Sequence, residues 1–466
     1  MDRVPAEIKL AIAQLVVQES PTSACACATV SRQWQALFEP ATFSSLRLNQ
    51  VRLPQAETIL TPLRQTYVRQ IHFMALLPGY ETHKEFEIEP EKKENDLAFS
   101  DAVARLVGCL HSWSLPHKLY ETSQRGIELG ISAVSTTNLQ DMKAGLTRVR
   151  PDELPHYYDR KERCATSYVA LREEGLYPQL PEVSFINKFI CPSVRPFSRQ
   201  PVPKTCCEIA NRFPNLNPID WNLGDGSHDH AFRVQLRNNF ATDLSLLPKS
   251  VRQFTLCYDY GPGLRGNIAD RNPRLCPGAV LDPLCIALRR LSMQLETISL
   301  DMVIGSKLLW EPEFDQNQEE VHWPRLRKMR LRFPGRIPQG THFLDWDPEG
   351  PIWDMDLDGS FTADRVLAHQ NPIHLALVRA AGRMPKLKVI YATWRDRYCL
   401  SVEFLLQPGR PDGIGSRAEF RYEGSPLLLD LPHALQEAWS QTARMHLREG
   451  AEFTKSLLRF RTNFPA

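Results

Sequence analysis

The chain has 466 residues, 42% of them hydrophobic and 24% charged, a composition that suits a globular protein of more than one domain. Its 56 basic and 54 acidic residues nearly cancel, so a dedicated nucleic-acid binder with a strong basic excess is not expected. The start, MDRVPAEIK, carries charge where a secretory leader needs an apolar run, and the apolar stretches are too short and too interrupted to span a bilayer. Eleven cysteines without a repeating spacing read as free thiols in a reducing compartment, cytoplasmic or nuclear.

VPAEIKLAIAQLV reads as a helix. Pro5 suits its first position, where a missing N–H costs nothing, and Glu7 faces the positive helix end. Ile8, Ile12, Leu15 and Val16 follow helical spacing on one face. QESPTS breaks this helix, and ACACATV forms a second short one. Ser31 is placed to cap a third, which carries Trp34, Leu37 and Phe38 on one stripe and is expected to stop before Pro40. Three helices this short make a marginal core. Either part of their apolar surface meets a partner, or they form the first layer of a larger domain.

The next stretch is mixed. VARLVGCL is helical by its Val103, Leu106, Val107 and Leu110 spacing, and GIELGIS is a strand. The charged run EFEIEPEKKEND (85–96) reads as a solvated loop, and SRQPVPK (198–204) as another. After residue 180 a pattern recurs in LPEVSFINKF, FPNLNPIDWNL, LPKSVRQFTLCY, MQLETISLD, WPRLRKMRLRF and MPKLKVIYATW. Most place a proline before an apolar residue and then alternate apolar positions, the signature of a strand with one buried face. TCCEIANR, DPLCIALRRLS and NPIHLALVRAAGR are helical stretches ahead of three of them. Helix, proline turn and strand in repetition predict parallel strands joined by crossovers. The uneven spacing fits a degenerate solenoid; an ordinary α/β sheet without repeat ancestry is the alternative. At the end, YCLSVEFLL and SRAEFRYEG flank QPGRPDGIG as a hairpin, and LPHALQEAWSQTARMHLREG is an amphipathic helix with Leu435, Trp439 and Leu447 among its apolar members.

Tests for enzyme motifs give little. Gly261, Gly263 and Gly266 match a dinucleotide fingerprint, but Pro273 and Pro277 stand where its helix should run. Asp354, Asp356, Asp358 and Gly359 begin a calcium-type loop whose twelfth position is Arg365 instead of a glutamate. His228 and His230 lie near Asp225 and Asp229 without a third partner at fixed spacing. No catalytic residue, metal or cofactor is expected. The basic run Arg325, Arg327, Lys328, Arg330, Arg332 and Arg336 is either a solvated face or a recognition surface. In a strand Arg330 and Arg332 share one side, suited to acidic or phosphorylated segments.

Val4-Pro5-x-Glu7-Ile8, then Leu15, then Val30-Ser31-Arg32-x-Trp34 resembles an F-box, with Val4 where the pattern usually has leucine. RQWQALFEPATFSSLRL, YVRQIHFMALLPGY, NDLAFSDAVARLVGCLHSW and GIELGIS extend the similarity to a family of fungal F-box proteins. The resemblance implies an α+β protein: a three-helix F-box over residues 1–48, an irregular leucine-rich-repeat-like α/β solenoid with parallel strands over 49–397 (degenerate in 49–180), and a hairpin-plus-helix cap over 398–466. It implies a substrate-recruiting adaptor of a cullin-based ubiquitin ligase, docked on a Skp-type linker through Val4, Pro5, Ile8, Leu15, Val30 and Trp34. The solenoid would bind an unknown protein target, with no nucleic acid or membrane partner and no catalysis of its own. A ligase-independent scaffold, with the helices as an N-terminal cap, is the alternative.

Overall fold

The structure, a computed structural model, describes residues 4–81, 86–113, 126–143, 163–164, 166–172, 180–192, 198–224, 230–259, 282–309, 323–333, 363–394, 400–407, 417–424, 433–447 and 452–459. The chain divides into two units, residues 1–220 and 221–466.

The first unit opens with α1 (Ala6–Glu19), α2 (Pro21–Ala28) and α3 (Arg32–Thr42). Several boundaries differ from expectation: α1 runs to Glu19 and α2 opens at Pro21, so within QESPTS only Ser20 separates the two helices. Pro5 precedes α1 instead of being its first residue; its extended backbone presents a carbonyl that accepts from the Lys9 amide at 3.1 Å. α3 runs through Pro40, because a proline in the last turn forfeits one amide bond and its ring faces solvent. The turn still closes through the Phe43 amide on the Glu39 carbonyl at 2.9 Å. Ser31 caps α3 as expected, its hydroxyl accepting from the Trp34 amide at 3.4 Å.

There follow β1 (Ser45–Leu48), α4 (Leu53–Ile59), α5 (Pro62–Gln65), β2 (Gln70–Leu77), α6 (Glu89–His111), β3 (Ile127–Ser135), α7 (Thr136–Lys143), β4 (Tyr168–Val169), β5 (Ile186–Cys191), β6 (Ser198–Pro201) and α8 (Pro203–Ala210). β1, β2, β3 and β5 lie side by side, all parallel. α6 packs on β2 and buries Phe99, Val103, Leu106 and Val107.

Two loops expected here are regular structure. Most of EFEIEPEKKEND is the first part of α6: Glu89 and Glu91 sit in its positive first turn beside Pro90, and the Ile88 amide donates to Glu91 at 3.2 Å. Of its carboxylates, Glu87 and Glu91 pair with buried arginines, described below, while Glu89 and Glu94 remain exposed. SRQPVPK supplies β6, whose Ser198 and Arg199 pair antiparallel with Val134 and Ala133 of β3, and then Pro203 opens α8.

The second unit contains β7 (Ile219–Gly224, across which the division falls), α9 (His230–Asp243), β8 (Gln253–Asp259), α10 (Pro283–Ser292), β9 (Thr297–Met302), β10 (Lys328–Phe333), α11 (Ala363–Gly382), β11 (Val389–Trp394), β12 (Leu400–Gln407), β13 (Arg417–Gly424), α12 (His433–His446) and β14 (Glu452–Arg459). β8, β9, β10 and β11 are parallel neighbours in sequence order. β12 and β13 form the expected antiparallel hairpin, and β14, which the sequence reading did not foresee, runs parallel to β13. Each of the six recurring segments contains all or most of a strand (β5, β7, β8, β9, β10 and β11).

Alternation explains the core. Phe254, Ile298, Met329 and Ile390 stand in one register row and Leu256, Leu300, Leu331 and Ala392 in another, all buried. Register is set by the residue before each strand. The Arg252 carbonyl accepts from the Glu296 and Thr297 amides at 2.7 and 3.0 Å. The Glu296 carbonyl takes the Arg327 and Lys328 amides at 2.8 and 3.1 Å, and that of Arg327 takes the Lys388 and Val389 amides at the same two distances. The coarse expectation holds: a mixed α and β protein built on mostly parallel sheet.

Candidate functional site

α1, α2 and α3 enclose a small core of Ala13, Ala24 and Phe38, with Val16, Val17, Leu37 and Trp34 packed against it. The Trp34 ring stacks on Phe38 at 5.7 Å between centroids. Lys9 donates to the Gln33 side chain at 2.7 Å, linking α1 to α3. Much of the remaining apolar surface faces water. Ile8, Leu15 and Val30 are 51%, 58% and 68% exposed, and Ile12 stands between the first two on the same outward stripe of α1. Pro5 is exposed and Val4 half-buried. Of the six residues predicted for docking, Pro5, Ile8, Leu15 and Val30 thus face outward, whereas Trp34 is partly consumed by the helices' own core.

The other end of α3 is tied down. Arg64 of α5 donates to the Glu39 carboxylate through Nε at 3.1 Å and through a terminal nitrogen at 2.5 Å, and its guanidinium lies 5.0 Å from the Phe43 ring centroid. The Arg64 hydrogen bonds hold the Glu39 carboxyl below the usual carboxylate range.

Arg330 and Arg332 do share the side of β10 that faces away from the core. Their neighbours differ. Arg330 is exposed with its guanidinium 5.0 Å from the Tyr391 ring centroid. Arg332 is half-buried and reaches Asp301 of β9 at 3.4 Å. In the same register row as Arg330, Arg421 of β13 pairs with Glu403 at 3.2 Å and with Glu419 at 2.8 Å. This face therefore alternates in sign instead of being basic throughout. Tyr391, Asp301 and Arg421 were missed by the sequence reading, although strand alternation applied to β9, β11 and β13 would have placed them there.

A buried polar cluster lies beyond the C-terminal ends of β2 and β3. Arg163 is fully buried, bonds to Glu91 at 2.6 Å and lies 4.4 Å from the Tyr80 ring centroid. Arg199 reaches Glu87 at 2.7 Å. The Tyr80 hydroxyl donates to Asn138 at 2.6 Å. Each guanidinium faces a carboxylate, so the cluster holds the start of α6 in place and offers no uncompensated charge for chemistry. A comparable pair sits in the second unit, where Arg237 grips Asp282 through Nε at 3.1 Å and a terminal nitrogen at 2.6 Å, and also donates to the Val303 carbonyl at 2.8 Å. Burial alone would raise the Asp282 carboxyl, but the Arg237 charge and hydrogen bonds bring it below its ordinary value.

Among the described residues, no group of three or more His, Cys, Asp or Glu is placed to hold a metal ion, and no helix is long and apolar enough to cross a membrane. The fingerprint glycines 261–266, the acidic residues 354–359, Arg336, and Asp225, His228 and Asp229 lie outside the described residues; His230 and Arg365 fall within α9 and α11. Compared with known proteins, the chain matches no family model, no curated protein and no solved structure.

Proposed function

We propose that the chain is a substrate-recruiting adaptor of a cullin-based ubiquitin ligase acting in the cytoplasm or nucleus. Residues 1–48 serve as an F-box that docks on a Skp-type linker. The helix-and-strand units behind them form a leucine-rich-repeat-like solenoid that holds a protein target. No catalytic group is required of such a subunit, because ubiquitin transfer takes place elsewhere in the assembly. The observation that carries this reading is the outward stripe of Ile8, Ile12 and Leu15, with Val30 also exposed, on helices that already have a core. Burying one such side chain in an interface is worth about 1.5–3 kcal/mol, so a few of them suffice for stable docking.

The test is direct binding of the full chain to a purified Skp-type linker. The wild-type chain should bind at micromolar concentration or below, and Leu15→Asp with Val30→Asp should weaken binding by more than about tenfold, ~1.4 kcal/mol, with the far-ultraviolet circular dichroism unchanged. Absence of binding by the wild-type chain overturns the reading. It would favour the ligase-independent scaffold, for which the specific observations are the packing of Trp34 on Phe38 and the anchoring of α3 by Arg64.

A further inference from the structure

The segments that lead into β8, β10 and β11 share a chemical pattern. Leu247-Pro248-Lys249, Trp323-Pro324-Arg325 and Met384-Pro385-Lys386 each place a buried apolar residue, a proline and an exposed cation in succession. Val251, Leu326 and Leu387 then return to the core, which leaves the cations no way to face inward. Arg327 and Lys388 follow as exposed residues immediately before or at the strand starts, and Lys328 opens β10. Across the four lead-ins of β8 to β11, Glu296 is the single carboxylate.

Geometry gathers these charges. Arg252, Glu296, Arg327 and Lys388 occupy successive positions in one row, fixed by the paired amide bonds onto each preceding carbonyl. Adjacent members stand about 4.8 Å apart. Lys249, Arg325, Arg327, Lys328, Lys386 and Lys388 have no ion pair among the described residues. Lys249 also stands at the rim of a groove of about 690 Å³ between α10 and the turn after α9, with Arg290 as the second cation. Its walls combine the apolar Leu244, Leu247, Ile286 and Leu291 with the polar Thr242, Ser245 and Gln294. The groove has no lining carboxylate.

We infer that this strand-leading edge and its adjoining groove form one docking surface for an acidic peptide segment, whose carboxylates meet the cation row while its apolar side chains enter the groove. Two other anionic partners fit less well. Single-stranded nucleic acid needs exposed rings for base stacking, whereas Trp323, the aromatic residue of these lead-ins, is fully buried with its indole N–H donating to Ser292 at 2.7 Å. A membrane surface needs apolar groups that protrude, whereas Leu244, Leu247 and Leu291 line a recess. A peptide combining acidic and apolar residues uses both features. The surface belongs to the second unit alone and stands whether or not residues 1–48 dock on a linker.

The test is fluorescence anisotropy with the full chain. The probe is a fluorescein-labelled synthetic amphipathic peptide of glutamate, aspartate, leucine and phenylalanine. Its glutamine and asparagine counterpart, a single-stranded oligodeoxynucleotide and phosphatidylserine vesicles are the comparators. The acidic peptide should bind at least about tenfold more tightly than its amide counterpart and lose affinity as salt is raised. R325E/R327E/K388E should weaken it by at least about tenfold, and Ala287→Trp, which fills the groove, should weaken it without changing net charge. R47E/R52E/R105E, a charge-matched set of exposed residues in the first unit, should leave binding unchanged. Equal binding of the amide peptide, equal loss in the charge-matched set, no effect of Ala287→Trp, or tighter binding of the oligonucleotide or the vesicles would each overturn the inference. Linker binding by R325E/R327E/K388E, measured in parallel, separates this result from the fate of the N-terminal docking site.

Discussion

In α1–α3, isoleucine, leucine and valine side chains stand in water around a core of little more than Ala13, Ala24 and Phe38. In the second unit the reverse arrangement holds: Arg237 and Asp282 sit with 1% and 2% of their side chains exposed. The difference shows what each region asks of its surroundings. The buried pair is complete within the chain, since both ionised groups have several partners, the Leu284 amide at 3.1 Å included. The helical module is complete only as a fold. Among the described residues its outward stripe has no counterpart, and an apolar surface so placed is where a partner gains the most from contact.

Breaking the buried pair should have the largest effect. Arg237→Ala leaves Asp282 charged and unpaired, and should lower the unfolding free energy of the second unit by about 4 kcal/mol in denaturant titrations. The double substitution Arg237→Met with Asp282→Leu should recover most of that loss, because it removes both charges together. Next comes Phe38→Ala, at roughly 3 kcal/mol. Its effect should be local, with amides of α1–α3 exchanging faster while those of β8–β11 keep their protection. A global loss of protection would erase the contrast between the two regions.

The smallest of these effects, taken over a single pH unit, is a pH slope. His374 of α11 is buried against Tyr422, and desolvation pushes its imidazole down from 6.5 to about 3. The unfolded chain therefore takes up a proton that the folded chain refuses. Stability should be level above pH ~6.5 and fall below it by about 1.4 kcal/mol per pH unit until the folded value is approached. His374→Phe keeps the packing and should flatten the part of the slope that separates denaturation midpoints at neutral and mildly acidic pH.

Strands were the most legible part of the sequence. Leu326, Met329, Leu331 and Phe333 announce β10 because period-two alternation and a leading proline both derive from local geometry. The start of α6 was hidden for the opposite reason. Glu87 and Glu91 look like solvated charges until Arg199 and Arg163, far along the chain, come to meet them. β6 was obscured in the same way, since Ser198-Arg199-Gln200-Pro201 has no apolar alternation and is a strand because β3 and β4 offer it partners. In the candidate site, spacing placed Ile8, Ile12, Leu15 and Val16 on one face but did not reveal which way it turns: Val16 packs against the helices' own core, and the other three point outward. Small residues decided that: Ala13 and Ala24 let α1 and α2 approach closely on the other side.

The paired amide bonds at the starts of β9, β10 and β11 have a further consequence for how the gene can vary. Because the carbonyl of Arg252, Glu296 or Arg327 fixes where the next strand begins, alignment does not depend on the length of chain between strands. The intervals from Gln253 to Thr297, Thr297 to Lys328 and Lys328 to Val389 are very unequal, yet the four residues stand in a single row. Insertions and deletions between strands leave that row intact, so length polymorphism should accumulate in the connecting segments while the residue ahead of each strand stays at a fixed distance from the first ladder position.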